Sequence, residues 1–497
     1  MNLASIIEGH PDDAVALISR GRPTTYGELR RQAGALRGGL VGLGVQPGDR
    51  VGIIAANNWY FVAAYLGILG AGAVAVPVNP ASPVPEVTRE LAAVGARAVI
   101  AGPSAQATLA QLDRAQLPDL EHLVATDALD LPGAVRLDDL LATAPTPVVE
   151  RAPDDLAVLI FTSGTAGSPK AAQLTHGNLR SNLDQCQAHP GRAQTADDVA
   201  FGVLPFFHIF GLNVVLGLTF AAGATVVAIE RFDPQSGLET IANQGITVIS
   251  GAPTMWTAWA TLPGAPDDAF AGVRLGTSGA ARLAPETRQA MADRFGLEVT
   301  EGYGLTEASP VVSSGHGMDA PAGSIGVPLP GVQVRLVDAD GQDALVGDAG
   351  EIWVKGPNVF PGYWGDPEAT AGALTPDGWL RTGDVAVVDD DGFLYLVDRA
   401  KDLIIVSGFN VYPAEVEEVL LLHPAVARVA VVGVPHPHSG EAVKAYVVVA
   451  AGASVDEDEL IRHCEAHLAR YKCPQKVMFV DEIPQSFSGK VLRKLLR

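Results

Sequence analysis

Cysteine is scarce in this chain: 3 in 497 residues, at Cys186, Cys464 and Cys473. Their spacing fits no metal-ligand or disulfide pattern, so they are expected to be buried or incidental thiols in a reducing compartment. Positive charge is scarce as well. Lys and Arg number 34 against 56 Asp and Glu, a formal net charge of −22. That balance excludes nucleic acid as a main partner, because phosphate backbones bind to a basic footprint. The N-terminal "MNLASIIEGHPDDAV" lacks the basic start and long apolar core of a secretory signal, and a cytoplasmic location is expected. One uncharged stretch, 59–78, has the length of a membrane span, but Gly67, Gly70, Gly72 and Pro77 interrupt it. It reads instead as a buried helix, a glycine turn and a strand over 74–78. Residues 212–229 repeat that plan around Ala-Ala-Gly at 221–223, and such units mark an α/β protein with buried strands.

What is present is a large apolar stock. Hydrophobic residues make up 48% and charged residues 18% of a chain long enough for two or more domains. "TYGE" at 25–28 is a capping box, and Tyr26, Leu29, Ala33, Leu36 and Leu40 recur behind it at helical spacing. Strands and helices alternate to about residue 300. Beyond about 320 the pattern changes to short alternating strands with Asp-Gly turns, the mark of antiparallel β. A helix opened by Pro413 and a second small α/β pattern follow. From Arg399 onward 12 basic and 12 acidic residues cancel, so the whole acidic excess lies before that point. A neutral module of about 100 residues is large enough to hold its own core.

Four stretches carry residues suited to chemistry. "FTSGTAGSPK" (161–170) follows an apolar strand, and its small residues let backbone N–H groups approach an anion while the hydroxyls and Lys170 add donors and charge. Its spacing is not that of the common phosphate loop G-x-x-x-x-G-K-[ST], and an ordinary Gly/Ser surface loop has the same composition. "TEGYGLTEAS" (300–309) places Tyr303 between Gly302 and Gly304 to offer a flat face to a base; Thr306 and Glu307 then suit a phosphate and Mg2+. In "WLRTGD" (379–384) and the "DRAKD" beyond it, Asp384 and Arg399 suit a ribose. In "SFSGKVLR", Lys490 sits in a Ser-Gly-Lys turn.

Together with "LPFFHIFG" (204–211), "TSGAARL" (277–283), "GEIWVKGPNVFPGYW" (350–364) and "LARYKCP" (468–474), these motifs resemble the adenylate-forming superfamily of acyl-CoA synthetases, firefly-type luciferases and nonribosomal adenylation domains, in order and over essentially the whole chain. The resemblance implies an α/β fold: a large N-terminal adenylation domain of α/β sheets with a small β-barrel-like subdomain (1–398), and a small mobile α+β C-terminal domain (399–497) that carries the catalytic lysine. It implies that Thr162, Ser163, Gly164, Thr165, Gly167, Ser168 and Lys170 close over the β- and γ-phosphates of ATP. Gly279, Ala280, Gly302 and Gly304 belong to the nucleotide site, with Tyr303 on adenine. Thr306 touches the α-phosphate, Glu307 binds Mg2+, and Asp384 holds the ribose with Arg399. Lys490 bridges the carboxylate and the α-phosphate, where two anions meet and a cation is needed. His208 stands at the carboxylate end of the acyl pocket. Lys401 is the pivot of the mobile domain, and Ser407, Gly408 and Phe409 face the thiol channel in the second half-reaction. Three residues depart from the family pattern: Ala166 for a threonine, Ala171 for a glycine and Arg282 for a proline. Ser407 stands where many relatives have lysine.

The expected activity is ATP-dependent conversion of a monocarboxylic acid to acyl-AMP and then to acyl-CoA. No acid lies near Phe207 and His208 to pair with an α-amine, and Gly302 stands where dicarboxylate-activating relatives have arginine. The segments 209–216 and 250–256 are mostly apolar. A medium- to long-chain fatty acid is expected first and an aryl or cyclic acid second. CoA is expected as acceptor, with a carrier protein as the alternative. A different class, a non-catalytic acyl- or adenylate-binding regulator, is opposed by the joint presence of Lys490, Glu307 and Asp384. A peripheral membrane contact for fatty acid uptake and a homodimer stay open. If the hydroxyl missing at 166 matters, Ala166→Thr lowers the KM for ATP in steady-state assays, and an unchanged KM makes the departure neutral.

Overall fold

The uncharged stretch at 59–78 folds as its glycines dictate. Asn58 caps the helix Trp59–Gly70 by accepting the Phe61 N–H at 3.2 Å. Nearly every side chain of that helix is buried, as expected of a helix apolar all round. Gly72 takes a positive φ of 76° and turns the chain into the fully buried strand Val74–Val78. The capping box forms as well: Thr25 Oγ1 accepts the Glu28 N–H and Glu28 Oε2 accepts the Thr25 N–H, opening the helix Tyr26–Gly42.

A computed structural model describes residues 1–126, 131, 133–162, 170–191, 193–338, 340–399, 404–406, 409–436, 440–468, 470–485 and 491–496; for 398, 399, 405, 409, 410 and 440 it describes the backbone alone. The chain divides into two compact units. The first comprises Met1–Ala322, Gly326–Gln333 and Val354–Leu380; the second comprises Gly323–Ile325, Val334–Trp353 and Arg381–Arg497. The neutral stretch from 399 onward lies wholly in the second unit.

Two large sheets build the first unit. In the seven-stranded sheet the strands run in the order Val135–Arg136, His122–Ala125, Ala98–Ala101, Arg50–Ile54, Val74–Val78, Leu156–Thr162, Lys170–Thr175. All neighbours are parallel except the last pair, an antiparallel hairpin with Thr162 opposite Lys170. The nine-stranded sheet runs Val327–Pro328, Val311–Ser314, Val299–Gly304, Leu275–Ser278, Val248–Gly251, Val199–Gly202, Thr225–Ala228, Val15–Ser19, Arg22–Thr25. Its six central strands are parallel, and antiparallel pairs close both ends. Such sheets bind ligands outside the carboxyl ends of their parallel strands. A ring cluster backs this sheet: Trp259 is fully buried, with the rings of Phe201, Trp256, Phe270 and Phe232 between 5.1 and 5.7 Å from it.

The expected small β subdomain is a four-stranded sheet, Gln333–Val337, Gly350–Lys355, Leu380–Val388 and Leu394–Arg399 in that order. The C-terminal α+β module is a second sheet, Phe409–Val411, Ile404–Val406, Gly440–Val449 and Val426–His436, with Lys476–Phe479 parallel to Gly440–Val449. Helices Pro413–Leu421 and Glu457–Glu465 bury Val416, Leu420, Leu460 and Cys464 into its core. All three cysteines are buried thiols outside any disulfide. Among the described residues, no helix is long and apolar enough to cross a membrane.

His176 opens the helix His176–Ala188 with no exposed surface, and its Nδ1 accepts the Leu3 N–H at 3.0 Å. Burial, with Arg151 nearby, pushes its pKa from 6.5 down to about 4. The fold therefore holds the neutral ring. Its stabilisation is complete above the unfolded-state value and drains as pH falls from 6.5 toward 4, by about 3 kcal/mol in all. The thermal midpoint of the native protein should accordingly fall more steeply across that window than that of His176→Gln. Parallel pH profiles would show that burial of this ring has no such cost.

Candidate active site

The loop expected to hold phosphate joins the two strands of the edge hairpin of the seven-stranded sheet. Its two described residues form the stem, where Thr162 Oγ1 donates to Lys170 O at 3.4 Å. Ser163, Gly164, Thr165, Gly167 and Ser168 lie outside the described residues, as do Lys401, Ser407, Gly408 and Lys490. Phe409 and Arg399 are described by their backbone alone.

The other expected residues of the first unit follow the carboxyl ends of four adjacent parallel strands. Gly302, Tyr303 and Gly304 end the strand Val299–Gly304, and Thr306 and Glu307 continue it in the turn Thr306–Ala308. Gly279 and Ala280 follow Leu275–Ser278. Residues 252–256 follow Val248–Gly251, and the "LPFFHIF" stretch follows Val199–Gly202. The register pairs Ser278 with Glu301 and Gly251 with Ser278, so three of the ends are level.

Close backbone approach explains the glycines here. A Cβ on Gly279 would stand 3.0 Å from Cε1 of Phe210, so the ring lies directly against this backbone. A Cβ on Gly302 would stand 3.0 Å from Ser313 O. Ala280 holds a left-handed φ of 70° without being glycine, a local strain of the kind found at functional loops. The loop that follows is tied down by Glu301, whose Oε1 accepts the Leu283 N–H at 2.8 Å. Burial raises the Glu301 pKa, and that hydrogen bond opposes the rise.

His208 is half-buried and its Nδ1 accepts the Phe210 N–H at 3.2 Å. The neutral ring therefore carries its proton on Nε2, the tautomer able to donate to a carboxylate. The loop before it is clamped by Asn57, in the bend that follows strand Arg50–Ile54 of the seven-stranded sheet. Asn57 Nδ2 donates to Gly202 O at 3.0 Å and Leu204 O at 2.8 Å, and Oδ1 accepts the Phe206 N–H at 2.9 Å. Beyond His208 the expected apolar helix is π-helical over Phe210–Gly217 and α-helical only over Leu218–Ala222. A wide turn of this kind is frequent at functional sites.

Tyr363 joins two of the expected motifs. Its hydroxyl donates to Glu307 Oε1 at 2.7 Å, and its ring centroid is 5.3 Å from Lys170 Nζ. Burial, reinforced by the Glu307 carboxylate, pushes the phenol above its usual pKa, so the group donates its proton and keeps it. In the second unit the strands Leu380–Val388 and Leu394–Arg399 pair Asp384 directly with Arg399. The turn before Asp384 is held by Thr382, whose Oγ1 donates to Ile352 O at 2.7 Å, and by Glu351 Oε1, which accepts the Gly383 N–H at 2.9 Å.

Asn57, Phe210, Glu351 and Tyr363 are absent from the motif-based site. Only Phe210, Glu351 and Tyr363 carried a signal, as unassigned members of "LPFFHIFG" and "GEIWVKGPNVFPGYW".

The family described as AMP-binding enzyme matches residues 3–364, and the AMP-binding enzyme C-terminal domain matches residues 415–490. A feruloyl-CoA synthase from Amycolatopsis sp is 39% identical over 487 residues, covering 97% of this chain and 95% of that one. A long-chain-fatty-acid–CoA ligase from Yersinia pestis is 37% identical over 518 residues, covering 98% and 91%. The crystal structure of ATP-bound MatB from Rhodopseudomonas palustris matches with a TM-score of 0.92 at 35% identity, covering 100% of this chain and 98% of that one. The shared motifs, the sheet ends they occupy and these matches over the full length agree: the chain belongs to the AMP-binding enzymes of the adenylate-forming superfamily and is an acid–thiol ligase of the acyl-CoA synthetase type.

Proposed function

We propose that this ligase activates a monocarboxylic acid with an apolar body, a medium- to long-chain fatty acid, and transfers it to CoA. The observation that carries this reading is the state of the polar groups in the segments assigned to the acyl pocket. Residues 209–216 and 250–256 contain no charge. Asn213 Nδ2 is spent on Leu179 O at 3.2 Å and Ser309 O at 2.7 Å. Trp256 Nε1 donates to Thr277 O at 3.3 Å. A second carboxylate or an amine would find no charged partner in these segments, at a cost of roughly 1–3 kcal/mol or more. An arginine at 302 would also have to displace the Ser313 carbonyl.

In this reading 162–168 and Lys170 hold the β- and γ-phosphates, Tyr303 faces adenine between the backbones at 279–280 and 302–304, and Asp384 with Arg399 holds the ribose. The fit to Mg2+ rests on Glu307: a half-buried carboxylate with Oε1 fixed by Tyr363, set beside Thr306. Among the described residues no group of three or more acidic, His or Cys side chains could cage a metal, which suits an ion held by one carboxylate and the substrate phosphates. When bound, that ion neutralises phosphate charge. The acid's carboxylate oxygen attacks the α-phosphorus, the bond to the bridging oxygen breaks, and pyrophosphate leaves. His208 and Lys490 face the carboxylate, and Lys490 offsets the charge gathering at the α-phosphate. The CoA sulfur then attacks the acyl carbon, the thiol proton is lost and AMP departs. Residues 399–497, pivoting at Lys401, withdraw Lys490 and bring Ser407, Gly408 and Phe409 to the thiol channel, while 1–398 keeps the nucleotide and acyl sites.

A second reading, an aryl or cyclic acid, is favoured by the Phe210 ring against Gly279 and by the 39% identity to a feruloyl-CoA synthase. CoA-dependent AMP release across straight-chain, branched and aromatic acids separates the two. Straight-chain acids of medium and long length should give the highest kcat/KM; a tenfold preference for aryl acids would replace the first reading by the second. Lys490→Ala should lower acid-dependent ATP–pyrophosphate exchange by about 10²–10³ and retain thioester formation from supplied acyl-AMP. Normal exchange in that variant removes the lysine from adenylation.

A further inference from the structure

Glu307 is gripped at both ends by one short segment. Its backbone carbonyl accepts the Phe360 N–H at 2.9 Å, and its Oε1 accepts the Tyr363 hydroxyl at 2.7 Å. The same segment is bonded to the strand leaving the phosphate loop: the Trp364 N–H donates to Ala171 O at 2.8 Å and the Gln173 N–H to Gly362 O at 3.0 Å. Tyr363 itself is fixed at both ends. Its N–H donates to Thr370 Oγ1 at 2.9 Å, and its ring meets Phe360 edge-on at 4.9 Å. Lys170 Nζ stands 5.3 Å from the same ring centroid, a cation–π distance.

A carboxylate on a short turn has several accessible rotamers. A phenolic donor on one oxygen selects one of them and leaves the other oxygen to reach a ligand. We propose that Tyr363 is the positioning residue of the phosphate end of this site. Through its hydroxyl it orients Glu307 toward the metal–nucleotide complex, and through its ring it seats the stem lysine of the phosphate loop. The carboxylate and the lysine, which come from different sheets, are thereby held in one geometry. This inference rests on the reading of Glu307 as the Mg2+ ligand.

The test uses the full-length enzyme without acid or CoA, so that ATP binding is measured and not turnover. ATP retention is followed by equilibrium dialysis as Mg2+ is titrated, and again in EDTA, for the native protein, Tyr363→Phe, Tyr363→Leu and Glu307→Gln. Loss of the outer hydrogen bond to a metal ligand costs on the order of 10–100-fold in metal affinity. Tyr363→Phe should therefore raise the half-saturating Mg2+ concentration about tenfold, with ATP binding in EDTA and the thermal midpoint unchanged. Tyr363→Leu, which also loses the ring, should in addition weaken ATP binding in EDTA by about twofold to fivefold. A native Mg2+ midpoint in Tyr363→Phe, with Glu307→Gln shifted, overturns the positioning role and spares the assignment of Glu307. A native midpoint in Glu307→Gln overturns that assignment, and the inference with it. Equal binding of the Phe and Leu variants in EDTA overturns the seating of Lys170.

Discussion

The central parallel strands of the nine-stranded sheet are level at their carboxyl ends, and the site depends on that register. The pairs Gly251 with Ser278 and Ser278 with Glu301 place three chain segments side by side. Each segment leaves the sheet at the end where α/β folds accept ligands. The glycines follow from this crowding. Gly279 must admit Phe210, and Gly302 must pass Ser313 O, so neither position has room for a side chain without movement. Asn57 then ties the seven-stranded sheet to the loop before His208 with three hydrogen bonds.

Charge is managed locally in a chain that is acidic as a whole. A net charge of −22 works against an ATP substrate at long range. Few described cations stand at the candidate site, Lys170 on the hairpin stem being one, and backbone N–H groups and a metal–carboxylate pair are suited to the remaining phosphate charge. The Tyr363 hydroxyl, short at 2.7 Å to Glu307, is raised above its ordinary pKa by burial and by that carboxylate. It therefore stays a donor throughout the physiological range. In the apolar segments 209–216 and 250–256, Asn213 Nδ2 and Trp256 Nε1 are bonded to backbone carbonyls.

Much of the fold was legible because its determinants are local. The Thr25–Glu28 capping box, the glycine-interrupted helix–strand unit ending at Val78 and the Asp-Gly turns after residue 320 are patterns of a few residues, and each appears in the structure where its pattern stands. The motifs with chemistry were legible because small residues, hydroxyls and a carboxylate must stand close together to meet a phosphate. The π-helix at Phe210–Gly217 was not legible. Apolar periodicity over eight residues does not distinguish a π-turn from an α-turn, and the close approach of Gly211 to the Pro205 carbonyl is a packing fact.

By itself, the sequence determined the alternation of buried strands and helices, the order of the family motifs and the absence of charge in segments 209–216 and 250–256. These depend on residue type and short-range spacing. Tertiary structure alone decided that Tyr363 bonds Glu307 across 56 residues, that Asn57 reaches Phe206 across 149, and that Asp384 stands opposite Arg399 in the strand register. Hydrogen bonds between distant residues depend on strand order and register, and those are set by the packing of the whole sheet rather than by any window of sequence.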